Sequence, residues 1–145
     1  MVVKITKLSE TASLPKRGSD QAAGYDLFAD IGEAEEIAPH ETKLIPTGLA
    51  VAIPEGYFGG IYARSGLALK QGLRPANCVG VIDADYRGQV MVSLHNDTDS
   101  VRSIEPGTRI AQLVIQPFLD ISFDEVDILP ETERGEGGFG STGTN

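Results

Sequence analysis

Two carboxylates and a few cationic side chains are the residues here that could move a proton or hold an anion. Asp83 and Asp85 flank a tight hairpin in Val81-Ile82-Asp83-Ala84-Asp85-Tyr86-Arg87-Gly88. Aspartates at turns usually serve turn hydrogen bonds. Asp83, however, directly follows an apolar run, which puts its carboxylate at a pocket rim where it could take a proton from water. The segment alone leaves both readings open.

Arg64-Ser65-Gly66 opens a short stretch of good helix formers that ends at Gly72. An arginine beside a helix N-terminus could hold phosphate oxygens. A serine N-cap next to a surface arginine explains the tripeptide equally simply, and from three residues that plainer reading is the better one. Gly135-Glu136-Gly137-Gly138-Phe139-Gly140 matches G-x-G-x-x-G. It lacks the following helix of a dinucleotide fold, and no Gly-Lys-Ser/Thr makes it a Walker loop. Its neighbours are more telling. Arg134 brings charge, Phe139 an aromatic face, and Ser141 and Thr142 hydroxyls, a mixture suited to a flat ring carrying phosphates.

His40, His95 and Cys78 have no partners at metal-ligand spacing. They read as structural or surface residues, with Cys78 inside a strand. No zinc site, catalytic triad or Cys–His pair assembles from them.

These residues need a scaffold, and the hydrophobic pattern predicts one made of strands. Large residues fall at every second position in Leu49-Ala50-Val51-Ala52-Ile53 and Val90-Met91-Val92-Ser93-Leu94. Cys78 to Ile82 and Ile110 to Ile115 are short, β-branched and mostly apolar, as buried strands are. Ile53-Pro54-Glu55-Gly56, Asp85-Tyr86-Arg87-Gly88 and Ile104-Glu105-Pro106-Gly107 carry turn chemistry. The pattern predicts an all-β jelly roll or β-sandwich with one short helix over Ser65–Gly72, Ser65 its N-cap. Residues 1–130 form that domain. Residues 131–145 are too poor in apolar side chains to pack, so they form a flexible glycine-rich arm awaiting a ligand.

At 145 residues the chain fits one domain, large enough to bury about 68–70% of its unfolded surface without a disulfide or metal. One cysteine excludes an intramolecular disulfide, which favours a reducing compartment. The start, Met1-Val2-Val3-Lys4-Ile5-Thr6-Lys7, lacks a signal-peptide apolar run. No segment approaches the ~20 apolar residues of a membrane span. A soluble, intracellular protein is expected, with no membrane partner. A net charge of −9 argues against general nucleic-acid binding. It leaves room for a small anion, since converging arginines and a divalent cation can make a local positive pocket.

Five segments, in order, resemble the trimeric dUTPase family: Ala23-Gly24-Tyr25-Asp26-Leu27, Arg64-Ser65-Gly66-Leu67-Ala68, Gly80-Val81-Ile82-Asp83-Ala84-Asp85-Tyr86-Arg87-Gly88, Arg109-Ile110-Ala111-Gln112-Leu113, and Arg134 through Gly143. The resemblance spans nearly the whole chain. It implies a homotrimer that shares its active sites between subunits and uses Mg²⁺ to hydrolyse dUTP to dUMP and pyrophosphate. Such a reaction limits uracil entry into DNA and supplies dUMP for thymidylate synthesis.

By resemblance, Asp83 activates the water that attacks the α-phosphorus. Asn77 and the backbone of Gly80, Val81 and Ile82 read the uracil edge, with Met91 nearby. Tyr86 packs under the deoxyribose and excludes a 2′-hydroxyl. Arg64, Ser65, Gly66 and Gln112 contact the phosphate chain. In the arm, Arg134 meets the γ-phosphate and Phe139 covers the uracil, alongside Gly140, Ser141 and Thr142. Asp26 orders the phosphate site through Mg²⁺-bound water, the metal otherwise resting on substrate phosphates.

One position departs from the pattern: Thr108 stands before Arg109 where an acidic residue is usual, which puts charge pairing around that segment in doubt. A dCTP deaminase shares this architecture but would need an acid/base beside the cytosine C4, and the Gly80–Tyr86 stretch fits the hydrolase form. A non-catalytic nucleotide-binding relative would be expected to have lost Asp83 or the arm.

Overall fold

The structure is a computed structural model that describes residues 1–138. Phe139, Gly140, Ser141 and Thr142 of the expected arm lie outside the described residues.

Two sheets face each other. One runs β1 (Lys4–Lys7), β5 (Thr42–Ala52), β9 (Gln89–Asn96), β7 (Leu73–Pro75). The other runs β2 (Lys16–Arg17), β3 (Tyr25–Phe28), β11 (Arg109–Pro117), β6 (Tyr57–Tyr62), β8 (Gly80–Ile82). A ribbon of β4 (Glu35–Ile37) and β10 (Arg102–Ile104) adds a small third sheet. Every pairing is antiparallel, and the jelly-roll expectation holds.

The alternation read in the sequence is the in–out alternation of β9: Val90, Val92, Leu94 and Asn96 are buried, and Met91 points outward. The inner faces converge on Leu27, Ile37, Ile45, Leu49, Leu73, Leu94, Ile104 and Ile110, all fully buried. Each such side chain contributes about 1.5–3 kcal/mol by leaving water. Asn96, also fully buried, is the polar counterweight. Its Nδ2 donates to the carbonyls of Ile37, Ala38 and Ser100 at 2.8–3.1 Å, and its Oδ1 accepts from the Thr98 backbone and hydroxyl. It ties the end of β9 to β4.

β5 is irregular midway. Thr42–Pro46 pair with β9, Leu49–Ala52 pair with β1 while Ala50 also stands opposite Gln89 of β9, and the β9 register shifts between Pro46 and Ala50. Gly48 sits in that break at φ 65°, where a Cβ would strike the Asp30 carboxylate. The Pro46 and Gly48 carbonyls at the irregularity accept from Asp30 N and Leu8 N, partners that buried backbone groups require.

Three sequence expectations change. Ser65 is not the N-cap. Helix α1 spans Ser65–Gln71, and Arg64, with extended φ and ψ, occupies the cap without a side-chain hydrogen bond. The helix does end at Gly72 in the left-handed conformation, as expected. Cys78 lies in the turn before β8, exposed, at φ 52°. The apolar run is strand only from Gly80, because the chain must first leave β7 and cross to the other sheet. Finally, Asp83–Gly88 is a tight turn, with Tyr86 N donating to Asp83 O at 3.2 Å, but not a hairpin. β8 pairs with β6 while β9 pairs with β5 and β7. Alternation reveals strands and turns. It cannot say which sheet buries each strand's apolar face.

Candidate active site

Asp26, on β3, is 8% exposed and stands opposite Lys16 of β2 and Gln112 of β11. Gln112 in turn stands opposite Tyr62 of β6. Cross-strand partners share a face, so Lys16, Asp26, Gln112 and Tyr62 form one row across the sheet. Gly24 is small for a reason here: a Cβ would collide with the Gln112 amide oxygen.

Arg64 comes to this row from the start of α1. Its Nε donates to Asp26 Oδ1 at 2.7 Å and its Nη2 to Oδ2 at 3.5 Å. Arg109 Nη1 donates to the same Oδ2 at 3.3 Å, and Gln112 Nε2 holds the Ala63 carbonyl at 2.8 Å. Arg109 and Gln112 are three apart, so a regular strand would send them to opposite faces. The register of β11 shifts between Arg109 and Ala111. Such a bulge reverses the parity, and both side chains reach the Asp26 side. The sequence reading gave Arg109 no role because odd spacing hides this. The charge pairing that Thr108 put in doubt is present, supplied by Asp26 from across the ladder.

One carboxylate thus holds two guanidiniums, with Lys16 alongside. The excess is cationic on an otherwise acidic chain. Arg64 Nη1 points to the Arg109 carbonyl at 3.4 Å, a long and weak contact that an anion could replace. Ser65 and Gly66 are exposed beside it. Their N–H groups, in the first helical turn, have no acceptor within the helix.

A second group surrounds β8. Asn77 lies in the turn before it, where its Oδ1 accepts from Ser93 Oγ at 3.4 Å. A Cβ on Gly80 would come within 2.9 Å of Asn77 Nδ2, so Asn77 lies close over that backbone. Val81 is 61% exposed, Ile82 buried. Met91 and Ser93 share the outward face of β9, which places Met91 on the Asn77 side. Asp83, exposed at the end of β8, begins the turn that carries Tyr86. The Tyr86 hydroxyl donates to the Gln89 carbonyl at 3.0 Å, and its ring lies where a Cβ on Gly88 would sit. Arg87 donates to the Ala84 and Tyr86 carbonyls at 2.6 and 2.8 Å, bracing the same turn.

Arg134 is exposed and donates to the Gly137 carbonyl at 2.7 Å. Among the described residues, no side-chain hydrogen bond or ion pair joins the Asp26 group, the Asp83 group and Arg134 to one another. The chain presents three surfaces, each with part of the expected chemistry.

The dUTPase family model matches residues 10–143. The chain is 50% identical over 143 residues to the deoxyuridine 5'-triphosphate nucleotidohydrolase of Oryza sativa subsp. japonica, covering 98% of this chain and 81% of that one. The protein of the same name from Orientia tsutsugamushi is 45% identical, with 99% of each chain covered. Among solved structures, a mutant Staphylococcus bacteriophage 80alpha dUTPase with dUpNHpp superposes with a TM-score of 0.89 at 33% identity over 99% of each chain. A mutant dUTPase from phage phi11 of S. aureus superposes with a TM-score of 0.81 at 29% identity, covering 90% of this chain and all of that one. That structure reveals the coordination of a structural Mg(II) ion.

Proposed function

The chain belongs to the dUTPase family and hydrolyses dUTP to dUMP, and from that premise we propose how its residues do so. The observation that carries the proposal is the Asp26 carboxylate holding Arg64 and Arg109 beside Gln112. This is a preorganised cationic row of the kind phosphoryl chemistry needs, where positioning and charge neutralisation outweigh covalent catalysis.

In this reading Arg64, Gln112, and the N–H groups of Ser65 and Gly66 bind the phosphate chain. Asp83 takes a proton from a water whose oxygen attacks the α-phosphorus, and pyrophosphate leaves. Asn77 and the backbone at Gly80, Val81 and Ile82 hydrogen-bond the uracil edge. A site built to donate to a carbonyl is left with an unpaired donor against cytosine's amine, hence strong rejection of dCTP. Tyr86 stacks under the deoxyribose, with Met91 at the base. Residues 131–145 close over the nucleotide, Arg134 toward the γ-phosphate, Phe139 over the ring, and Gly140, Ser141 and Thr142 alongside.

The three separate surfaces fit a homotrimer in which each site is completed by neighbouring subunits. Beyond β11, Leu119, Ile121, Phe123, Ile128 and Leu129 are 62–92% exposed, an apolar run that a lone chain would leave in water. A groove of about 440 Å³ lined by Val3, Ile5, Tyr25, Val51, Leu113 and Ile115 offers matching apolar surface. Sedimentation of the purified protein at three times the chain mass supports this assembly; a monomer at working concentration removes it.

For Mg²⁺, the described residues contain no cluster of three or more His, Cys, Asp or Glu that could cage an ion. Both Asp26 oxygens already accept from guanidiniums. The donor set therefore fits a cation carried by the substrate's own phosphates, with Asp26 reaching it through water. Bound there, the metal would neutralise phosphate charge.

Pyrophosphate release from dUTP, UTP, dCTP and dTTP, with and without Mg²⁺, tests the whole scheme. Turnover of dUTP in the presence of Mg²⁺, with the other three nearly inert, is expected. Comparable turnover of dCTP or UTP would remove the roles of Asn77 and Tyr86.

A further inference from the structure

The turn that presents Asn77 is held from outside. Cys78, next to it, takes φ 52°, which costs a non-glycine residue about 1–2 kcal/mol. The backbone bond from Cys78 N to Pro75 O is long, 3.4 Å.

Arg74 on β7 reaches over this turn. Its Nη1 donates to Cys78 Sγ at 3.0 Å and to the Pro75 carbonyl at 3.3 Å. The other edge of the guanidinium forks onto Asp97, Nε to Oδ2 at 2.7 Å and Nη2 to Oδ1 at 2.9 Å. Asp97 is itself anchored, its N–H donating to the Gly72 carbonyl at 2.8 Å where α1 ends. A continuous path thus runs from the helix that begins at Arg64, through Gly72, Asp97 and Arg74, to the turn carrying Asn77.

We propose that Arg74, clamped by Asp97, is a positioning residue for base recognition, fixing the Asn77–Cys78 turn in the geometry that reads uracil. This rests on the reading of Asn77 as a base contact. Arginine suits the task because its planar fork grips Asp97 with one edge and leaves Nη1 for the turn, which a lysine ammonium cannot do. With side chains 36% and 42% exposed, the pair adds little to global stability. Its effect lies in where the turn sits.

Arg74→Met, which keeps the aliphatic stem, should raise the KM for dUTP about tenfold and lower its preference over dCTP about tenfold, with kcat changed less than about twofold. The thermal midpoint should stay within a few degrees. Asp97→Asn, which keeps the shape and loosens the fork, should move the same readouts less. Asn77→Ala serves as the reference. If it loses uracil preference while both fork variants keep wild-type KM and preference, the positioning role is overturned and the base contact stands. If Asn77→Ala keeps full preference, the base contact falls and the positioning role falls with it. A drop in kcat at unchanged KM in Arg74→Met would also overturn the proposal.

Discussion

Arg64 meets Asp26 with Nε 2.7 Å from Oδ1 while Arg109 approaches the other oxygen, Oδ2, at 3.3 Å. The Asp26 side chain is only 12% exposed, the two arginines 24% and 53%. Asp26 therefore sets where the two guanidiniums stand. Asp26→Asn should leave both guanidiniums without their counterion, so kcat/KM for dUTP should fall about 10- to 100-fold. Steady-state pyrophosphate release reads this directly. Unchanged kinetics would mean the arginines hold their places without it.

Asp83 sits exposed at the end of β8, free of side-chain hydrogen bonds among the described residues. Asp83→Asn keeps size and polarity while removing the carboxylate. It should bind dUTP with little loss and lower kcat about 10²- to 10⁴-fold. Binding is measured by titration calorimetry, turnover by pyrophosphate release. Near-normal kcat would relieve Asp83 of its role.

Stopping the chain after Glu133 removes Arg134 and everything beyond. Among the described residues the helix and strand elements end by Pro117, so the truncated protein should fold and sediment as the full chain does. It should hydrolyse dUTP poorly. Retained activity would take the arm out of the reaction.

How much of this was legible beforehand depends on distance along the chain. Strands such as β9 and β11, the helix and its Gly72 stop follow from local pattern, because burial on one face imposes a period and left-handed φ selects glycine. Most of the candidate residues lie in the five family segments, Asn77 and Met91 just outside them. Partnerships were not legible. Nothing local says that β8 and β9 join different sheets, that a register shift turns Arg109 toward Asp26, or that Arg74 leans on Asp97. These depend on which strands lie side by side. Asn96 is the sharpest case. An ordinary polar residue in the sequence, it is the buried knot between β9 and β4.

Asn96→Ala should accordingly be costly. It deletes the hydrogen bonds that Asn96, at a fully buried position, makes with the carbonyls of Ile37, Ala38 and Ser100 and with Thr98, a loss of about 2–4 kcal/mol. Chemical denaturation should show the drop with the slope unchanged. A loss under about 0.5 kcal/mol would mean water replaces the amide.

The Arg74 fork holds the Asp97 carboxyl below its ordinary value of 3.8. A depressed carboxyl contributes stability that is present above the unfolded value and lost as pH falls through the folded one. Wild type and Asp97→Asn should therefore differ only slightly in stability at neutral pH, as an exposed pair does, and converge on acidification below about 3.8. Unfolding midpoints across an acid series would show it. A gap that persists into strong acid would point to something other than this charge.

From β6 to β9 the backbone passes between the two sheets three times, through α1, through the Asn77 turn and through the Asp83 turn. Arg64, Asn77, Asp83 and Tyr86 are carried on these bridges, while Asp26 and Gln112 stand on one leaf. A small slip of one leaf over the other would break no ladder and barely register as unfolding, yet every bridge would feel it. Warming should therefore silence this protein some degrees before it melts.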